Sequence, residues 1–357
     1  MSSWFHENDE ECSGIIRIAR IGSIHVPAFD SLQDGCFGHF CGIRFMKTLF
    51  GPVPSRRLGR SLGIDVIPPK TCSLDCVYCE SGRTTCLTLA RREFVEPDAV
   101  LRDLDAYFSR YPDGTDVLTF SSAGEPTLYE PLGDLIRAVK KRFPSLPLIV
   151  LTNGSLLWDS GVRKDLAVAD RVVPSLDAAT DAVFQRINRP HSDLNLSLFL
   201  EGLQAFRRDY KGQFHMEVMI VSGFNDHQEE LDGISRILRK LKPDRVELNT
   251  VVRPPADPGV KGLSPEAMKK ASLFFPDKVT DIIGEFQGAV GDKSDASLTS
   301  RIVHLVVRRP CTPAEMAASL GTLQEEIDHS LRKLEEAGRI ARYELNGKDY
   351  ICLKSRR

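Results

Sequence analysis

Residues Ser61–Cys79 read SLGIDVIPPKTCSLDCVYC, and this stretch decides the fold class. Its first part, Leu62–Ile67, is apolar on both faces, as a strand buried in a parallel sheet must be. Its second part sets Cys72, Cys76 and Cys79 in the order C-x3-C-x2-C directly after that strand. Three thiolates can take three corners of a [4Fe–4S] cube and leave the fourth iron open to chemistry, whereas electron-transfer clusters and structural zinc sites are closed by four protein ligands. Three readings stand at this point: a zinc site, three unrelated buried cysteines, and a site-differentiated cluster. Zinc lacks a fourth ligand here, since Cys86 is the only other cysteine nearby and no His is close. The spacing also differs from paired CxxC knuckles, so the cluster is favoured.

Working outward, apolar β-rich runs alternate with amphipathic stretches. Strands are expected at Leu62–Ile67, Asp116–Ser121, Leu146–Thr152, Arg171–Leu176, His215–Val221 and Arg245–Val251. Helices are expected near Pro97–Phe108, Leu132–Phe143, Asp181–Ile187, Leu194–Tyr210 and Asp226–Lys240. Six such units predict an α/β fold, a partial (β/α)6 TIM-like barrel, with its chemistry at the C-terminal ends of the strands. A helix from Pro265 to Phe274 and a small polar linker, Gln287–Ser297, follow. Then come three helical segments, Leu298–Val307, one opening at Thr312-Pro313 and closing at Gly321, and Gln324–Ala337. Strands Arg339–Leu345 and Asp349–Leu353 around Asn346-Gly347 complete a C-terminal winged helix-turn-helix domain. The expected division is 1–45, a poorly ordered extension or misassigned start; 46–255, the core; 256–297, a helical extension and linker; and 298–357, the winged helix.

Composition narrows the class. With 357 residues, 42% hydrophobic and 27% charged, the chain suits a globular fold, and a net charge of −2 gives no reason for general nucleic-acid or membrane binding. No apolar run reaches the length of a bilayer span, no signal-peptide pattern follows the acidic start, and nine clustered cysteines argue against a disulfide framework, so a cytoplasmic location is expected. The segment Gly51–Ser61 is basic, with Arg56, Arg57 and Arg60, and Lys70 and Arg83 lie beyond it. These groups are candidates to stabilise anionic thiolates or to grip an anionic substrate, against a plain solvated loop.

The segment Cys72-Ser-Leu-Asp-Cys76-Val-Tyr78-Cys79 resembles the signature of the radical S-adenosylmethionine (SAM) superfamily. Together with GPVPSRRLGRSLGID before it, it is similar to an uncharacterised iron–sulfur oxidoreductase branch distantly related to the wybutosine tRNA-modifying enzymes; the likeness spans Phe50 to Pro255. The resemblance implies two cofactors, a [4Fe–4S] cluster and SAM, with SAM on the open iron and reductive cleavage giving a 5′-deoxyadenosyl radical. Gly124-Glu125-Pro126 is similar to the motif that receives the SAM ammonium. Asn153 after the third strand, and Ser175 and Asp177 after the fourth, correspond to residues that contact the SAM ribose or carboxylate, against turn and capping roles. Arg186 and Arg189 are offered for the SAM carboxylate, with a solvent role for at least one, and Asn249 for the adenine. No residue is assigned to a second hydrogen transfer, and Cys86 is expected to be a free buried thiol. An external one-electron donor such as flavodoxin or ferredoxin is implied, and the substrate stays open among RNA, peptide and metabolite. The third tail helix begins Gln324-Glu325-Glu326, and the tail from Ala296 holds eleven Lys/Arg against eight Asp/Glu, a balance of +3 that does not favour DNA binding. The competing reading is a non-catalytic iron–sulfur sensor or regulator acting through the winged helix.

Overall fold

Strands that are apolar on both sides can hide their backbone only inside a layered structure, and that is what these segments form. The structure, a computed structural model, describes residues 48–55, 58–276, 279–283 and 298–354, all within the compact unit Met46–Arg357. The expectations for residues 1–45, Arg56, Arg57 and the Gln287–Ser297 linker lie outside the described residues. Strands β1 (Leu49–Ser55), β2 (Gly59–Ile64), β5 (Val117–Phe120), β6 (Leu148–Thr152), β7 (Arg171–Pro174), β8 (Gln213–Ile220), β9 (Arg245–Thr250) and β10 (Thr280–Ile282) form one sheet in the order β1-β2-β5-β6-β7-β8-β9-β10. Every pairing is parallel except that of β1 with β2. The short parallel pair β3 (Thr71–Cys72) and β4 (Cys86–Leu87) brackets the cysteine loop.

Helices α1 (Pro97–Arg110), α2 (Leu132–Arg142), α3 (Ser160–Leu166), α4 (Asp181–Ile187), α5 (Leu196–Asp209) and α6 (Gln228–Leu241) connect the parallel strands. Their starts follow capping chemistry: Asp159, Thr180 and Asn195 each accept from a backbone N–H of the first turn. On α1 the buried residues are Val100, Leu104 and Tyr107, one face of a helix. These faces pack on Leu118, Phe120, Val150, Val172, Met216, Val218 and Leu248 in one hydrophobic cluster. The other face of the sheet is apolar only around Val117, Ile149 and Val173. Farther along it carries hydroxyls, with Ser61 Oγ 2.6 Å from Thr119 Oγ1.

The six expected strands are present, and the structure adds two at the edges. β1 escapes a sequence reading because Gly51, Pro52 and Pro54 read as a turn; prolines are tolerated only on an edge, and β1 is one. β10 has three residues, too few for a periodic signal. Helix α3 was also unanticipated, being two turns long. Past α7 (Pro265–Ser272), residues 298–354 form α8 (Leu298–Arg308), α9 (Pro313–Leu320), α10 (Gln324–Glu336) and an antiparallel hairpin of β11 (Ile340–Leu345) and β12 (Lys348–Leu353). Thr312 and Glu315 make a capping box on α9, and Gly321 ends it at φ +60°. These elements share a hydrophobic cluster of their own, into which Val53 of β1 packs. Tyr350 donates to the carbonyl of Val252, 2.7 Å away.

Candidate active site

The cysteine loop leaves the C-terminal end of β2 and is fastened at each turn. Lys70 N–H donates to the Ala123 carbonyl and Glu125 N–H to the Thr71 carbonyl, which sews the loop to the Gly124-Glu125-Pro126 segment after β5. Gly124 is required there: a Cβ at this position would stand 2.1 Å from the Thr71 carbonyl oxygen. Within the loop, Thr84 N–H donates to Asp75, and Arg83 and Arg189 pair with Asp257 at 2.9 and 2.5 Å. Cys72, Cys76 and Cys79 are free thiols, all partly buried.

Each sulfur has a side-chain N–H donor beside it. Asn153 Nδ2 is 3.5 Å from Cys72 Sγ, Asn188 Nδ2 is 3.4 Å from Cys76 Sγ, and Lys70 Nζ is 3.9 Å from Cys79 Sγ. Burial, reinforced by the charge of Glu125, pushes the Cys72 thiol up to about 12; burial and then Asp177 push Cys76 well up. Thiols so placed need a cationic centre to be held as thiolates. Three thiols ringed by N–H donors are a donor set that fits an iron–sulfur cluster. Among the described residues no three His, Cys, Asp or Glu side chains are grouped to hold a single metal ion. Cys86 stands in a disulfide, which corrects the expectation of a free thiol.

The strand-end residues form two networks around this loop. Glu125, buried after β5, accepts on Oε1 from Thr127 N–H, Thr127 Oγ1 and Thr152 Oγ1 (3.0, 2.6 and 2.6 Å) and on Oε2 from Asn153 N–H at 2.7 Å. Burial raises its carboxyl and these bonds oppose the rise. Pro126 begins the buried turn Pro126–Leu128 that Glu125 caps. Asn153, after β6, also donates to Ser73 Oγ at 2.9 Å, so Glu125 and the cysteine loop meet on it. In the second network Asp177, after β7, accepts from the Tyr78 hydroxyl, from Asn188 Nδ2 at 2.9 Å and from Met219 N–H at 2.9 Å. Burial raises the Asp177 carboxyl as well.

Ser175 joins this level through a backbone bridge to Glu217. Asn249 lies buried on β9, donating to Glu217 Oε1 at 3.0 Å. Arg186 is not gathered in: it lies exposed on α4, bonded to the Gly223 carbonyl and stacked over Phe224. Arg189 turns to Asp257 and Asp75, and Arg60 to Asp116 at 2.7 Å, at the opposite end of the strands from the cysteines. Sequence reasoning missed Asn188 and Ser73. Ser73 lies inside the cysteine motif and was open to notice; Asn188, at the end of α4, carried no motif to mark it. A cavity of about 790 Å³ adjoins the site, bounded by the hydroxyl-bearing face of the sheet, by Glu80 next to Cys79, and by α9, α10 and the hairpin.

Comparison with known proteins gives the family. Residues 66–233 match the Radical SAM superfamily. The chain is 38% identical over 248 residues to UPF0026 protein MJ1312 of Methanocaldococcus jannaschii, covering 68% of this chain and 77% of that one. It belongs to the UPF0026 family of radical SAM proteins. A Brachyspira hyodysenteriae protein named GTPase Obg is 37% identical over 305 residues, covering 84% of this chain and 44% of that relative, so the chain spans less than half its length. Among solved structures, a radical SAM methyltransferase from Sphaerobacter thermophilus shares the fold, with a TM-score of 0.50, 16% identity, and coverage of 62% of this chain and 66% of that one. The resemblance carried by C-x3-C-x2-C is borne out. Members of the superfamily bind a [4Fe–4S] cluster and SAM, and membership supports a SAM-cleaving enzyme supplied with electrons from outside, in preference to the regulator reading. No helix among the described residues is long and apolar enough to cross a membrane.

Proposed function

We propose that Cys72, Cys76 and Cys79 are the ligands of a [4Fe–4S] cluster with one open iron, and that SAM is held between them and the ends of β5, β6 and β7. The observation that carries this is the ring of N–H donors, Lys70, Asn153 and Asn188, one beside each sulfur. When bound, cluster and SAM supply an electron and a 5′-deoxyadenosyl radical that takes hydrogen from a substrate. The chain's own residues position these groups. Lys70, Asn153 and Asn188 donate to the sulfurs and temper their negative charge. Glu125 fixes the end of β6 and gives the SAM ammonium a negative neighbour, though three donors already occupy its Oε1. Asp177 holds the Tyr78 ring in place, so that the last turn of the loop cannot swing away.

We read residues 298–354 as a winged helix whose third helix faces inward. Gln324 and Asp328, on the first turns of α10, line the cavity beside the sheet. Two residues of the helix that would read DNA thus face the enzyme, which supports a role at the substrate.

The test is anaerobic reconstitution with iron and sulfide, reduction with dithionite and addition of SAM. The expected products are 5′-deoxyadenosine and methionine. Cys72→Ala, Cys76→Ala and Cys79→Ala should each remove the cluster's visible absorbance and the products. A fully loaded wild-type cluster that forms no 5′-deoxyadenosine would overturn the assignment.

A further inference from the structure

The cavity between the sheet and residues 298–354 has walls from both, and one wall ends at the cysteine loop. Glu80 follows Cys79 directly and lines it, as does Ser121 three residues before Gly124. Its volume, about 790 Å³, is within the roughly 300–1,000 Å³ of sites that enclose a small ligand or a few residues. Resting on the radical SAM reading above, this is where a hydrogen donor would approach the SAM site.

The walls also indicate what fits. The charged residues of the lining are Arg253, Arg309, Arg342 and Lys348 with Glu80, Glu315, Asp328 and Asp349. Among the described residues of the lining, cations and anions are equal in number. Arg253, its side chain 11% exposed, has one guanidinium nitrogen on Glu80 at 3.1 Å and another on Glu315 at 3.0 Å. Its charge is already matched. A phosphate backbone is recognised by a surplus of Lys and Arg, and the described lining carries no such surplus. The lining also holds neutral hydrogen-bonding groups, Ser61, Thr119, Ser121 and Gln324, with Phe50 and Leu151 as apolar surface. Balanced charge, neutral donors and acceptors, and apolar patches match an amide-bearing chain.

We infer that this cavity is the substrate site and that it admits a segment of peptide, with the C-terminal elements α9, α10 and β12 as one of its walls.

The test is equilibrium dialysis of the reconstituted full chain against a pool of acetylated tripeptide amides and a pool of short oligoribonucleotides, read by mass spectrometry. Labelled SAM in the same cell reports on the cofactor site separately, so loss of SAM retention would mark failure of the cofactor assignment and not of this one. Members of the peptide pool should be retained, and Ala318→Trp, which fills the cavity from α9, should reduce their retention about tenfold with SAM retention unchanged. Ala314→Trp, from an exposed position on the same wall, gives a second filling variant in case the first misfolds. Retention of oligoribonucleotides in place of peptides, equal peptide retention by wild type and filled variants, or retention of neither pool would overturn the inference.

Discussion

At the scale of single residues, the site is governed by donors that face sulfur and by acids that face arginine. Asn188 shares its amide between Cys76 and Asp177. Hydrogen bonds to cluster sulfurs stabilise the more negative, reduced state, so Asn188→Ala should shift the cluster's midpoint potential downward, as read by a redox titration followed by EPR. An unchanged potential would make Asn188 a purely structural partner of Asp177. Asp257 supplies a prediction with a definite sign. Its hydrogen bond from Arg189, and then the charges of Arg189 and Arg83, hold its carboxyl below the ordinary value of 3.8. A depressed carboxylate adds stability that is present above the unfolded value and is lost as pH falls through the folded one. Asp257→Asn should therefore cost about 1–2 kcal/mol at neutral pH, held low by the partial exposure of its partners, and should match wild type in acid. Denaturant unfolding at several pH values measures this. The cysteines were marked by their spacing, and Glu125 and Asp177 by likeness to superfamily motifs; the fold sets all of them at the C-terminal ends of the strands. Asn188 was not marked, because an asparagine at a helix end reads as a cap and only the fold brings it to Cys76. Arg186 was offered for its charge, and the fold leaves it exposed on α4.

The secondary-structure elements show what periodicity can and cannot convey. Strands β5 to β9 were legible because both faces are apolar or buried, and α1 and α6 because their apolar positions recur with helical spacing. β1 was illegible because its prolines are edge features whose meaning depends on a neighbour. That neighbour exacts a specific residue. The ring of Phe50 lies over Gly63 of β2, and a Cβ there would approach it to 2.1 Å. Gly63→Ala should overpack this contact and destabilise the protein by about 1–3 kcal/mol by thermal or denaturant unfolding. Phe50→Leu in the same chain should recover much of that loss, whereas an additive penalty would show that the ring is not the obstacle.

For the whole molecule, Arg253 is the residue on which the parts converge. It sits past β9, with Glu80 of the cysteine loop on one side and Glu315 of the α9 capping box on the other. Burial alone would lower its pKa, and the two carboxylates more than reverse that, keeping it protonated. Arg253→Leu should lower stability by about 1–2 kcal/mol, modest because Glu80 and Glu315 are 44% and 35% exposed and can be rehydrated. Hydrogen exchange should rise in 298–354 and in the loop around Glu80 more than in β5 to β8; a uniform rise would deny the coupling. The same arrangement bears on how the protein is made. Residues 298–354 leave the ribosome after the sheet, so the cysteine loop is complete while the wall beside it is still unbuilt. Iron delivered in that interval would meet a loop not yet flanked by residues 298–354. A chain ending at residue 283 should accept iron and sulfide faster than the full chain in stopped-flow reconstitution, and equal rates would mean that loading does not depend on the order of synthesis.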